Sequence, residues 1–310
     1  MKKESTIMKE TKSLYFNAVL LTIGVISIGL SSILIKWSSA PASILGMYRL
    51  FFTLVIITPM MRKVSLPAII KELSRKDLIL LVLAGFFLGL HFLLWMESLD
   101  LTSVASSMIL LSLQPLFIMI GSFVMFKERT TGGGVLALSV AVIGSAVTAW
   151  GDIGLSSQAL YGDLLSLLGA VASSLYMLAG QNLVRKIPPI AYSYIVFFVA
   201  AVVMLVYNLL QGTALFAYDV KEWVLFLLLA IVPTIFGQML FNRLLGSLGA
   251  TTISMVIVAE PAVAILLASV LLDERISLLQ AVGGAVTLAG IGLFFWFKQR
   301  MIKRSQERLS

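Results

Sequence analysis

An all-α membrane fold, ten transmembrane helices arranged as two inverted five-helix repeats, is what this sequence predicts, and three observations predict it. The first is composition. Of 310 residues, 59% are hydrophobic and only 12% are charged, with a mean hydropathy of +1.02, against roughly 45–50% apolar residues in soluble domains. The second is that the apolar residues fall in runs of about 20, the length that carries a helix across a hydrocarbon core of about 30 Å. These runs are continuously apolar rather than alternating, which argues against a β-barrel. The third is self-similarity: shifting the chain so that Pro115 falls on Pro261 superimposes its two halves without a gap.

The elements follow in order. A first span at 14–36 comes after a basic segment, and its apolar run is longer than the roughly 7–15 residues of a cleaved signal, so it is read as retained. Spans follow at 41–60, opened by Pro41 and carrying Arg49, and at 77–97, which contains "GFFLG" and "GLHFLLWMESLD". The fourth, 102–126, carries Gln114 and Pro115, and the fifth, 131–150, opens on "TGGG". Spans at 160–184 and 188–210 begin the second half. The eighth, 222–243, holds Pro233, Gln238 and Asn242; the ninth, 250–272, holds Glu260 and Pro261; the tenth, 276–297, carries Gly283 and Gly284 near its start. Residues 14–150 and 160–297 thus form the two repeats, with basic tails at 1–13 and 298–310. The glycine-rich starts and "GFFLG" are read as close helix packing.

Charge orients the chain. With the N-terminus in the cytoplasm, the inside segments collect 19 of the 23 Lys and Arg, while the outside segments hold Lys36, Lys221 and Arg275, and Arg49 lies within a span. This positive-inside bias places both termini in the cytoplasm of a multi-pass cell-membrane protein and requires an even number of spans.

At the single offset, Tyr48 meets Tyr194, Phe51 meets Phe197, Ser27 meets Ser173, Gly144 meets Gly290 and Trp150 meets Trp296. Glu128 and Arg129 meet Glu274 and Arg275. Five spans per half is an odd number, so the second half enters the membrane from the opposite side. Inverted repeats with a site near the midplane are a recurrent architecture of secondary transporters.

Lys36 followed by Pro41 and Arg49, the prolines of spans 4 and 9, and "FKER" and "LDER" hairpins each followed by a Gly-rich span carry a resemblance to a known family. Over residues 17–297 the chain resembles the two EamA-type repeats of the drug/metabolite transporter superfamily. That resemblance implies a ten-helix carrier of amino acids, other metabolites, drugs or nucleotide-linked sugars, exporting more often than importing. It also implies a cavity lined by spans 3, 4, 8 and 9, on which His91, Trp95, Gln114, Gln238, Asn242 and Glu260 would converge.

Glu260 lies about ten residues into span 9, so at about 1.5 Å per residue it reaches near the midplane. A charged side chain there costs about 2.5–3.5 kcal/mol on insertion scales. It reads either as a proton-coupling or amine-binding carboxylate, or as a neutral or paired group tying helices together. Pro115 and Pro261 are expected to kink their helices and shape the cavity, with Gln114 in the position of Glu260. Arg49 cannot deprotonate and needs a carboxylate, carbonyls, water or a substrate anion, unless it snorkels to the interface. His91, the only histidine, suits a proton relay or a packing role. Tyr48, Tyr176, Tyr192 and Tyr194 offer cavity hydroxyls or interfacial anchors. Glu128, Arg129, Glu274 and Arg275 read as helix-end anchors or as gate ion pairs.

The absence of cysteine removes disulfides and thiolate chemistry. No P-loop, HExxH motif or metal-ligand cluster is visible, so neither cofactor nor metal is expected, and an enzyme is disfavoured, as is a structural or sensory role. The expected partners are the lipid bilayer and a small-molecule substrate rather than nucleic acid, and a homo-oligomer is compatible with the sequence.

Overall fold

The ends of the helices are set by prolines and by small polar caps. In the computed structural model, which describes residues 2–127, 131–150, 157–257, 259–273 and 277–307, the long helices are α1 (Lys2–Lys36), α2 (Ala42–Ile57) and α3 (Arg75–Leu101). Next come α4, in two parts (Val104–Leu111 and Gln114–Phe126), and α5 (Gly132–Trp150). The second half supplies α6 (Ser157–Gly180), α7 (Pro189–Leu210) and α8, which runs through Val220–Leu229, Ala230–Gln238 and Met239–Leu248. It ends with α9, again in two parts (Ala250–Ile257 and Glu260–Leu271), and α10 (Leu278–Glu307). No strand occurs among the described residues.

Pro41 precedes α2, and Ser74 caps α3 in a reciprocal box with Asp77, whose backbone N–H donates to Ser74 Oγ at 3.2 Å. Such a box satisfies two of the N–H groups that a helix start leaves unpaired. Ser103 caps the first part of α4 by accepting from Ser106 N at 3.1 Å. The basic connection before α3 is more ordered than a loop: a 3-10 turn (Thr58–Lys63) and a short helix (Leu66–Glu72) fill it, the latter with Pro67 in its first turn.

Among the described residues eight segments are long and apolar enough to cross a membrane, and Gly132–Val147 and Ala281–Phe297 are shorter apolar stretches. The two short stretches belong to α5 and α10, which pack along one another. Gly144 and Gly290 make that approach possible. A Cβ on Gly144 would stand 2.6 Å from Thr287 Oγ1, and one on Gly290 would stand 2.5 Å from Ala141 N. Thr287 Oγ1 in turn donates to Gly283 O at 2.9 Å and reaches Ala141 O at 3.4 Å. Gly144 with Gly290, and Ala141 with Thr287, are repeat mates, so the contact reads the same from either half.

The other helix pairs obey the same exchange. α3 packs on α6 as α8 packs on α1, α4 on α6 as α9 on α1, and α2 lies against its own mate α7. The first part of α4 meets the second part of α9, while the second part of α4 meets the first part of α9, as in antiparallel neighbours. Near the starts of α3 and α8 an acidic residue clips the other half. Asp77 accepts from Lys186 Nζ at 2.6 Å, and Glu222 accepts from Ser38 Oγ and, at 2.9 Å, from Ser39 N.

Pro115 and Pro261 do more than kink their helices. Each falls in the first turn of a new helix, after turns at Ser112–Leu113 and around Ala259. The missing N–H of proline costs nothing there, because first-turn N–H groups have no intrahelical partner. Pro233 acts differently. α8 runs through it as a π-helical stretch, Ala230–Gln238, whose i to i+5 pattern passes the pairing of Leu229 O from residue 233 to Thr234, and Thr234 Oγ1 donates to the same carbonyl at 2.7 Å. This is the local re-satisfaction that lets proline persist inside a membrane helix. The hairpin residues Glu128, Arg129, Glu274 and Arg275 lie outside the described residues.

Candidate functional site

The crossing of α4 and α9 leaves a cavity of about 60 Å³, which at about 10–15 Å³ of probe-occupied space per water holds a few water molecules. Its walls come from α1, α2, α3, α4, α6, α8 and α9, and they bring together Arg49, His91, Trp95, Gln114, Gln238, Asn242 and Glu260, with Pro115 and Pro261 at the helix breaks. Tyr48 lies outside this group. It stacks on Phe226 at 5.1 Å, meets Trp223 edge-on at 4.7 Å and donates to Leu215 O at 2.8 Å, anchoring the segment between α7 and α8.

Arg49 does not snorkel. It is 2% exposed, with Nε donating to Thr234 Oγ1 at 2.7 Å, Nη1 donating to Ser31 Oγ at 3.1 Å, and its guanidinium carbon 4.2 Å from the centre of the Phe92 ring. The π-helical stretch of α8 therefore has a local role, since the same Thr234 hydroxyl that serves Leu229 O also holds Arg49. Two of the five guanidinium donors are used by these bonds, and Arg49 faces the cavity with the rest.

Glu260 stands at the first turn of the second part of α9, where the helix dipole favours negative charge. It lines the same cavity as Arg49. Among the described residues no ion pair within 4 Å joins them. Gln114, its repeat mate, is tied down: Nε2 donates to Ser173 Oγ at 2.8 Å and approaches Met177 Sδ at 3.1 Å, and its carbonyl accepts from Ser174 Oγ at 3.2 Å. Symmetry thus gives one committed amide and one carboxylate without a hydrogen-bond partner among the described residues.

His91 and Trp95 form a flat wall, their rings parallel to within 2° and 5.8 Å apart. His91 Nδ1 lies 3.0 Å from Gly169 O; a carbonyl only accepts, so Nδ1 carries the proton and Nε2 is the acceptor of a neutral ring. Trp95 is 3% exposed, and its Nε1–H has no partner among the described residues. Buried donors are nearly always paired, so an open one on a cavity wall marks a place for an acceptor from outside the chain.

Across the cavity, Tyr176 Oη donates to Asn242 Oδ1 and accepts from Gln238 Nε2 at 3.1 Å. Asn242 also donates to Ser193 Oγ at 3.1 Å. Ser31, Ser112, Ser173 and Ser254 complete the polar lining. Sequence reasoning did not single out Ser31 or Thr234, the two holders of Arg49, because a lone hydroxyl in an apolar span has no distinguishing pattern. Among the described residues no cluster of acidic and histidine side chains suits a metal ion.

Comparison with known proteins finds matches along nearly the whole chain. The model of the EamA-like transporter family matches residues 16–150 and again residues 160–296. An uncharacterized transporter of Archaeoglobus fulgidus is 27% identical over 225 residues, covering 71% of this chain and 79% of that protein. The uncharacterized transporter YxxF of Bacillus subtilis is 23% identical over 223 residues, with 71% and 70% covered. A protein of known crystal structure shares the fold with a TM-score of 0.71 at 17% identity, over 92% of this chain and 99% of that one.

Proposed function

The chain belongs to the EamA-like transporter family and is a multi-pass membrane protein, and from that premise we propose that it is a secondary carrier, an exporter of small organic metabolites such as amino acids or drug-like compounds. One observation carries the reading. At the crossing of two broken helices, one from each repeat, a small cavity gathers a carboxylate at a helix N-terminus, a guanidinium with spare donors and an unpartnered indole N–H. Broken helices that aim their ends and polar groups at a midplane site are how secondary transporters build a substrate site in apolar surroundings.

In this reading the ten helices span the bilayer as inverted five-helix repeats, α5 and α10 included, with both termini in the cytoplasm of the cell membrane. The cavity opens alternately to either side as one group of helices rocks against the other. Arg49 and Trp95 supply donors to acceptor groups of the substrate. Gln114, Gln238, Asn242 and the His91 ring fix its orientation, and Glu260 receives an amine or a proton. Flux is then driven by exchange or by a proton gradient.

The test is a comparison of metabolites retained and released by cells with and without the protein, followed by flux of each candidate into proteoliposomes. The expected result is at least one metabolite that accumulates outside producing cells and moves saturably across reconstituted membranes. A broad screen in which no compound moves would overturn the carrier reading.

A further inference from the structure

The two ends of the cavity are closed by different chemistry. At the end toward the C-termini of α6 and α8, Tyr176 bridges Asn242 and Gln238. One turn beyond, Gln181 Oε1 accepts from Ala250 N at 3.2 Å, and Arg185 Nε donates to Gly246 O at 3.0 Å. All of these bonds run from α6 and the segment after it to α8 and the start of α9. Tyr176 and Asn242 are buried, so the bridge lies inside the protein rather than on its rim.

The repeat shows what a closure of the other kind looks like. The mates of Tyr176, Gln238 and Asn242 are Leu30, Phe92 and Met96, and the mate of Gln181 is Ile35. Phe92, Met96 and Ile35 are buried, and none of these four side chains carries a hydrogen-bond donor, the Met96 thioether being a weak acceptor at most. The three matching positions are polar in the second half and apolar in the first, where hydrogen bonds between helices run instead among Ser98, Ser107 and Ser166.

Resting on the carrier reading above, we infer that Tyr176 is the latch of one gate, holding α6 to α8 by its two hydrogen bonds, and that the opposite gate is an apolar plug of Leu30, Phe92 and Met96. The physical difference is in what opening costs. When the Tyr176 latch parts, Tyr176, Gln238 and Asn242 exchange their mutual hydrogen bonds for bonds to entering water, a nearly even trade. When the plug parts, apolar surface meets water with nothing in return. The latch end is therefore the one that wets and opens first, and removing the Tyr176 hydroxyl loosens that end alone.

The chain contains no cysteine, so Ser112→Cys places a single thiol on the cavity wall. Its labelling by a membrane-impermeant, charged methanethiosulfonate, in sealed vesicles of either orientation, reads the opening of each gate without any knowledge of the substrate. Adding Tyr176→Phe is expected to speed labelling about tenfold from the face that carries residues 181–187, a population shift of about 1.4 kcal/mol, and to leave the other face unchanged. Arg185→Met, at an exposed position where folding is safe, is expected to act in the same direction by about two- to threefold. Met96→Ala is expected to speed labelling from the opposite face.

Unchanged labelling from both faces with Tyr176→Phe, or an equal rise from both, would overturn the latch. Lys71→Cys, exposed beside the start of α3, reports which compartment that face meets. Labelling of Lys71→Cys from outside would reverse the orientation of the chain while leaving the latch in place. A one-sided effect of Tyr176→Phe in a protein that moves no metabolite would sink the carrier reading and keep the gate.

Discussion

Thr234→Val is the substitution with the clearest arithmetic. The two side chains have nearly the same shape, and only a hydroxyl is exchanged for a methyl. That hydroxyl stands 2.7 Å from Arg49 Nε and 2.7 Å from Leu229 O, accepting from the first and donating to the second. Valine leaves the guanidinium with Ser31 and the face of Phe92, and it leaves Leu229 O with only the backbone partner that the π-helical pattern supplies. A hydrogen bond to a charged group is worth about 1.5–3 kcal/mol and a neutral one about 0.5–1.5 kcal/mol, so the loss is about 2–4.5 kcal/mol. Thr234→Ser keeps the hydroxyl and deletes one methyl, for about 1 kcal/mol. Titrating both variants in mixed micelles with dodecyl sulfate, and following helix content by circular dichroism, gives the two values in one experiment. Valine should unfold well before serine. A valine variant as stable as the serine one would refute the assignment of Thr234 as joint support of Arg49 and of the π-helical stretch.

Three further outcomes follow from the same geometry. Trp95→Phe removes the open indole N–H together with part of the ring that stacks on His91, so the apparent KM for the transported metabolite should rise about two- to tenfold; an unaltered KM would mean that this donor meets no substrate. Glu260→Gln should keep exchange of substrate for substrate but lose any acceleration by a pH gradient, measured as flux into vesicles with and without an imposed gradient, and retained acceleration would remove Glu260 from proton coupling. Gly144→Val forces side-chain atoms into the backbone of α10 near Thr287 and should cost upwards of about 1–3 kcal/mol by overpacking, seen as earlier unfolding, whereas Gly132→Val, where no atom lies within 4 Å, should cost far less.

Much of this architecture is legible in the sequence because the bilayer imposes long, uniform signals. Apolar runs of membrane length locate the helices, and the coincidence of Pro115 with Pro261 and of Gly144 with Gly290 reveals the repeat. What a proline does is less legible, because three prolines look alike in apolar runs. Two of them begin new helices, while Pro233 stays inside one, where a π-helical stretch moves the pairing of Leu229 O on to Thr234.

The site was readable where charge or ring chemistry stood out against lipid-like surroundings, as at Arg49, His91, Trp95 and Glu260. Its supports were not. Ser31 and Thr234 are ordinary residues until folding sets them around a guanidinium, and the repeat offers no help, because the mate of Arg49 is Ile195. Tyr48, read as a cavity hydroxyl or an interfacial anchor, is instead buried against Trp223 and Phe226, a setting that the sequence around it does not reveal. The asymmetry laid over a symmetric frame, with Glu260 against Gln114 and Tyr176 against Leu30, is where function separates the two halves.

Counterflow in proteoliposomes tests the central claim most directly. With an identified metabolite sealed inside, entry of the same labelled metabolite from outside should saturate and run several-fold faster than into empty vesicles, because a cavity open to one side at a time returns fastest when loaded. Flux that rises in proportion to concentration, indifferent to what the vesicle holds, would contradict an alternating cavity between the two repeats.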